Sequence, residues 1–227
     1  MKTHDILQKY IESLVKGYSD SLIVVSPAGY GKTETTMTAI KNKGLVEGQH
    51  YRYVNNYITP VELYLLLEDI NRLDDPKLLI LDDVEDTLRN PRAIGLLKGA
   101  LWAVDGKRKV GWHSGTHRVK NKEIIFNGRI IFLLNQFNKK SPVVNALKDR
   151  SLYYEMELTK KEMFNLMIER AKKPYQDIPI EKREEIASYL LKAGGSSDDT
   201  TLRLLTRAYQ LFQVSPHHWQ KLLKKLI

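Results

Sequence analysis

The chain of 227 residues contains no cysteine. Disulfides and thiolate metal centres are thereby excluded, as expected of a protein of a reducing compartment. Long apolar runs are missing too: no stretch approaches the roughly 20 residues needed to span a bilayer. The N-terminal Met1-Lys2-Thr3-His4-Asp5-Ile6-Leu7 lacks the apolar core of a signal peptide. A soluble, cytoplasmic protein is the expectation. Acidic residues are in deficit, 27 against 36 lysines and arginines, for a net charge of +9. The apolar content of 42% is enough for a substantial core and excludes a disordered chain.

The surplus charge is local. Between Asp105 and Lys122 six cations (Lys107, Arg108, Lys109, Arg118, Lys120, Lys122) face one anion, Asp105. A polyanionic partner follows, nucleic acid in preference to membrane because no basic amphipathic helix accompanies the charge. The bland alternative is a solvated basic surface.

The most informative stretch is Leu22-Ile23-Val24-Val25-Ser26-Pro27-Ala28-Gly29-Tyr30-Gly31-Lys32-Thr33-Glu34. Four apolar residues without polar alternation predict a central parallel strand covered on both faces. Gly29 and Gly31 can adopt positive φ and bring backbone N–H groups to an anion. Lys32 supplies a compact cation for the β and γ phosphates, Thr33 a hydroxyl for Mg²⁺, and the helix opening there its positive dipole end. The pattern G-x-x-x-x-G-K-[ST] is met at all specified positions but the first, where Ser26 stands. The residues from Pro27 to Glu34 are therefore candidates for binding ATP.

Leu78-Leu79-Ile80-Leu81-Asp82-Asp83 is a second buried strand ending in two acids. It would bring both carboxylates to the carboxyl edge of a parallel sheet, with Asp82 on Mg²⁺ and Asp83 polarising the attacking water. Arg129 to Asn135 is a further buried strand, and its terminal amide can orient a water. Arg150 is expected at an exposed helix-to-strand turn before a strand over Leu152–Leu158. Other expected elements are an amphipathic helix over Thr3–Lys16, a strand over Tyr51–Asn55, and helices over Thr33–Lys41, Pro60–Arg72, Arg92–Val104 and Val143–Lys148. Alternation of strand and helix predicts an α/β fold with a parallel sheet. Lys109–Ser114 and Glu123–Phe126 read as a β-hairpin tipped by His113, His117, Arg118 and Lys120. Without a helix, the two histidines four apart do not form a metal pair. The hairpin reads as a basic finger on which Trp112 stacks against nucleic acid, or alternatively packs against the sheet edge.

Beyond Thr159 only helices are expected. Thr159 caps the first, a second spans Pro179–Ala193, and Gly194-Gly195-Ser196-Ser197 breaks the pattern. Asp198 or Asp199 caps a third, and a fourth runs from Ser215 through Leu226. Their methionine and aromatic stripes are core. Two domains result, 1–158 and 159–227.

In order and spacing these stretches resemble the AAA+ ATPases over nearly the whole chain. Ser26–Thr33 resembles Walker A, Leu78–Asp83 Walker B, Asn135 the sensor 1 position, Arg150 the arginine finger, and Asp199–Arg203 sensor 2. The Asp-Asp ending is similar to that of initiator, helicase-loader and transposition-helper members, where many others carry Glu in place of Asp83. The resemblance implies a five-stranded parallel sheet of order 5-1-4-3-2, a hairpin insertion before the fourth strand and a C-terminal four-helix lid. It further implies Mg²⁺-dependent ATP hydrolysis in a homo-oligomeric ring or spiral, typically hexameric. Asp83, Asn135 and Arg203 would act within one subunit and Arg150 on the next subunit's ATP. The few residues before Leu22 leave no room for an N-terminal adaptor domain. Two functions are then open: a motor or loader acting on DNA through the hairpin, or a protein-remodelling ATPase whose hairpin grips a polypeptide with Trp112. A non-hydrolysing nucleotide switch, suggested by the shorter Asp83, ranks below both.

Overall fold

The computed structural model of the chain describes residues 2–138, 140–193 and 200–225. The chain forms two compact units, one of Met1–Ser26 and Lys32–Met156, the other of Pro27–Gly31 and Glu157–Ile227.

The first unit is built on a sheet of five parallel strands. These are β1 (Ser21–Val25), β2 (Tyr51–Asn55), β3 (Leu78–Asp82), β6 (Arg129–Leu134) and β7 (Leu152–Glu155), in the spatial order β2-β3-β6-β1-β7. Numbered among themselves, the strands run 5-1-4-3-2, the order implied by the AAA+ resemblance. Burial explains who sits where. All five residues of β1 and of β3 are buried, as are five of the six in β6, whereas β2 and β7 are mostly half-buried. The unbroken apolar runs thus occupy the centre, and the tyrosine-containing strands the edges. Helices α1 (Thr3–Val15), α2 (Lys32–Asn42), α3 (Pro60–Ile70), α4 (Pro91–Leu101) and α5 (Pro142–Lys148) surround the sheet. Leu63, Leu67, Ile94 and Leu97 from α3 and α4 join Leu79, Leu81, Ile130 and Phe132 of the sheet in one core. Three helices begin with proline in the first turn behind a side-chain cap: Thr59, Asn90 and Ser141.

A second, two-stranded antiparallel sheet, β4 (Lys109–Gly111) and β5 (Glu123–Ile125), is the hairpin inserted before β6. Three expected boundaries shift by three or four residues: the strand expected to reach Leu158 ends at Glu155, the helix expected from Ser215 begins at Trp219, and the end of the helix before the hairpin moves with a clear cause. The helix expected to reach Val104 stops at Leu101, because Asp105 and Gly106 both take positive φ (50° and 73°) in a two-residue turn. The turn is closed by reciprocal 3.0 Å bonds between Val104 and Lys107. Asp-Gly is a strong signal for such a turn, and it requires extended flanks that a helix cannot supply.

The second unit carries α6 (Lys160–Ala171), α7 (Ile180–Ala193), α8 (Leu202–Val214) and α9 (Trp219–Leu223). Thr159 caps α6 in a reciprocal box with Glu162. Met163, Met167, Ile186, Leu190, Leu205, Tyr209 and Trp219 make its core, Tyr30 packing against it. The buried Arg183 donates to the carbonyls of Ala171 and Ile178 at 2.9 and 3.1 Å, satisfying the end of α6. The cap of α8 is Thr201, which accepts from the Leu204 N–H. The expected Gly194–Ser197 break, the Asp198 or Asp199 cap and Leu226 lie outside the described residues. Among the described residues no helix is long and apolar enough to cross a membrane.

Candidate nucleotide site and basic hairpin

Parallel register brings the polar residues together. Val25 pairs with Leu134, Asp82 with Leu133 and with Asn55. Lys32, Asp82, Asp83 and Asn135 therefore stand at one edge, beyond the carboxyl ends of β1, β3 and β6, where open α/β sheets bind ligands. Lys32, 5% exposed, donates through its ammonium to Asn135 Oδ1 at 2.7 Å. The same amide donates through Nδ2 to Asp83 Oδ1 at 2.6 Å, and its backbone N–H donates to Glu85 Oε1 at 2.6 Å. Asn135 is thus held on three sides and joins the cation to the second acid.

Asp83 adopts φ of 53°, in the left-handed region, while its N–H bonds the Leu133 carbonyl at 3.0 Å. Such backbone costs about 1–3 kcal/mol for a non-glycine residue. Aspartate tolerates it better than most. The bend turns the carboxylate from the strand line toward Asn135.

Asp82 is 2% exposed. Its Oδ2 accepts from the Thr33 hydroxyl at 2.7 Å and from the Tyr53 hydroxyl at 2.8 Å, and its Oδ1 is buried without a hydrogen bond. A buried carboxylate oxygen with no donor fits a cation ligand, and Thr33 keeps its lone pairs for the same ion. No cluster of three or more acidic, histidine or cysteine side chains suited to a metal occurs among the described residues. A cation here would complete its shell with phosphate oxygens and water, as Mg²⁺ does. Tyr53 is pushed up to about 12, first by burial and then by its bond to Asp82. It is a site residue that the sequence does not mark, since nothing in Tyr51-Arg52-Tyr53-Val54-Asn55 states the register of β2 on β3.

The glycine-rich loop belongs to the second unit. Gly29 and Gly31 have φ of 83° and 84°. The Leu202 N–H donates to the Gly29 carbonyl at 3.1 Å. A Cβ on Gly29 would lie 2.8 Å from the Thr201 Cβ and 3.4 Å from the Arg203 Cγ, so Thr201 and Arg203 flank the loop directly. Pro27 is exposed, Ala28 half-buried, and Glu34 lies in the first turn of α2.

Arg150 departs from expectation. It is half-buried, its guanidinium 5.0 Å over the Trp102 ring and donating to the Ala146 carbonyl, while Nε is buried without an acceptor. The exposed Trp102, released from α4 by the Asp105-Gly106 turn, supplies the face that covers it.

The hairpin is no free finger either. It is bound along α3: Tyr64 donates to the Asn121 carbonyl at 2.7 Å, Asn71 to the Ile125 carbonyl at 2.8 Å, and Asn121 to Glu68. Gly99 of α4 lets the Lys109 carbonyl come within 2.7 Å of where a Cβ would be. Two expected nucleic-acid contacts are corrected by this packing. Trp112 is 7% exposed, in the main core, its ring 5.8 Å from that of Tyr64. Arg108 is largely covered, paired with Asp20 at 3.5 Å and stacked 5.2 Å over Phe126, and burial pushes its guanidinium down. Lys107, Lys109, Arg118, Lys120 and Lys122 are exposed, with Arg118 paired to Glu62.

The order of the five parallel strands, the hairpin inserted before β6 and the C-terminal helices are those of the AAA+ fold. No family model matches the chain. The chain is 27% identical over 180 residues to an uncharacterized 36.7 kDa protein from the nrdC-mobD intergenic region of Enterobacteria phage T4, covering 74% of this chain and 54% of that protein. Among solved structures it is similar to two variants of Thermotoga maritima RuvB, with TM-scores of 0.57 and 0.53 at 15% identity. They cover 93% and 92% of this chain and 62% of each of theirs. A DNA replication initiation factor gives a TM-score of 0.52 at 14% identity, over 97% of this chain and 63% of its own. The chain thus spans about half the length of the curated relative and under two thirds of these structures.

Proposed function

We propose that the protein is a Mg²⁺-dependent ATPase of AAA+ type that acts on DNA. The observation that carries the ATPase reading is the joined array of Lys32, Asn135 and Asp83 beside Thr33 and Asp82. Lys32 would turn from Asn135 to the β and γ phosphates, and Pro27–Gly31 would line the triphosphate with backbone N–H groups. Thr33 and Asp82 would hold Mg²⁺, which supplies charge neutralisation at the phosphates. Asp83, oriented by Asn135, would accept the proton of the attacking water, and Arg203 would add a cation from beside the loop. Arg150 would act on the ATP of a neighbouring subunit, in a ring or spiral, after leaving the Ala146 carbonyl.

The DNA reading is supported by the likeness to RuvB and to a replication initiation factor, and by the exposed lysines at 107, 109, 120 and 122. Remodelling of a polypeptide is less well supported, because the aromatic that would grip it, Trp112, is core. ATP turnover by wild type and Lys32→Ala, with and without single- and double-stranded DNA, tests the proposal. Turnover unchanged in Lys32→Ala would refute the site; an ATPase indifferent to DNA at low salt would refute the DNA role.

A further inference from the structure

The two oxygens of Asp82 are used unequally. Oδ2 receives both hydroxyl protons, from Thr33 at 2.7 Å and Tyr53 at 2.8 Å, while the buried Oδ1 receives none. Thr33 belongs to the phosphate-loop pattern; Tyr53 comes from a different strand. It pairs with Ile80, two residues before Asp82, on the same face of the sheet, and its ring bridges the roughly 6.6 Å that two strand residues span. Asn55, in register with Asp82, donates to the Tyr53 hydroxyl at 3.4 Å. With its lone pair engaged from that side, the phenol directs its proton to Asp82.

We propose that Tyr53 is a positioning residue that makes Asp82 a one-oxygen cation ligand, through Oδ1, and so selects Mg²⁺ over Ca²⁺. The proposal rests on the nucleotide reading above and adds to it a residue and a selectivity. Mg²⁺ takes near-octahedral geometry with one oxygen from a carboxylate and several waters, whereas Ca²⁺ takes six to eight oxygens and readily accepts both from one carboxylate. An Oδ2 occupied by two donors offers no lone pair for the second bond. Removing the phenol hydroxyl frees one, and lets the carboxylate rotate to chelate the larger ion.

Tyr53→Phe keeps the ring and removes the donor. The readout is binding: the electron paramagnetic resonance signal of Mn²⁺ bound with a non-hydrolysable ATP analogue, displaced by Mg²⁺ or by Ca²⁺. Loss of a group that orients a metal ligand costs about tenfold or more in metal affinity. Mg²⁺ affinity is expected to fall about tenfold, with Ca²⁺ affinity unchanged or raised, so discrimination drops by at least that factor. Asn55→Ala should shift the ratio the same way by less. Analogue binding in EDTA should match wild type. An unaltered ratio, equal loss for both cations, or equal loss of metal-free analogue binding overturns the proposal. A wild-type protein that holds no Mn²⁺ with the analogue instead overturns the nucleotide reading beneath it.

Discussion

Replacing Trp112 by alanine separates two uses of the one aromatic in the basic hairpin. The ring is 7% exposed against Tyr64 within the principal core, so its loss removes packing atoms that little else can replace. Trp-to-Ala changes in cores cost about 3–5 kcal/mol. An opposing term arises because Trp112 Nε1 is buried without an acceptor, and an orphaned donor costs about 1–3 kcal/mol that truncation returns. The net expectation is a loss of about 2–3 kcal/mol, which for a chain of this size lowers the melting temperature by roughly 5–10 °C. Trp112→Phe should stay within about 1 kcal/mol of wild type, since the area lost and the donor relieved offset each other. Thermal or urea denaturation reads these values, alongside single-stranded DNA affinity measured well below the transition. Base stacking is worth about 1–3 kcal/mol per base. A Trp112→Ala protein that melts with wild type yet binds single-stranded DNA at least about tenfold more weakly would refute the core assignment.

Gly99→Ala gains up to about 1 kcal/mol of helix propensity in α4 but sets a methyl 2.7 Å from the Lys109 backbone carbonyl, which cannot rotate away. A net loss of about 1–2 kcal/mol is expected, read as faster hydrogen exchange over residues 109–125, and slower exchange would contradict it. Asp83→Asn should retain nucleotide binding while turnover falls by a factor of about 10²–10⁴; a smaller fall would move the base to Glu85. If DNA lies on the exposed hairpin lysines, Lys120→Glu with Lys122→Glu should lower the slope of log affinity against log salt by about two, and an unchanged slope places DNA elsewhere. The Tyr53 hydroxyl has its folded value raised to about 12, above the ordinary value near 10. The stabilisation it gives is complete below pH about 10 and lost as pH rises through about 12, so the tyrosinate difference spectrum between wild type and Tyr53→Phe should titrate near the upper value.

Much of the architecture was legible from local pattern. Uninterrupted apolar runs at Leu22–Val25, Leu78–Leu81 and Ile130–Leu134 marked the three central strands, because a strand covered on both faces has no polar side. The end of α4 was misread: the Asp105-Gly106 turn signal stood in the sequence beside a helical apolar pattern that ran into it. The hairpin's composition was legible and its posture was not. Six cations and a tryptophan read as a basic finger, yet Tyr64 and Glu68 of α3 and Asn71 at its end hold it down, and those partners lie some 50 residues earlier.

The sequence by itself determined the buried strands of the sheet through unbroken apolar runs, and the phosphate loop through glycines and a lysine at fixed spacing, since both are local properties of backbone and solvent. Tertiary structure decided which oxygen of Asp82 carries two protons, that Asn135 joins Lys32 to Asp83, and that Arg150 is covered by Trp102. Each of these depends on strand register or on a long-range contact, and a side chain's neighbours across strands are set by how separate segments pack, which no spacing along the chain records.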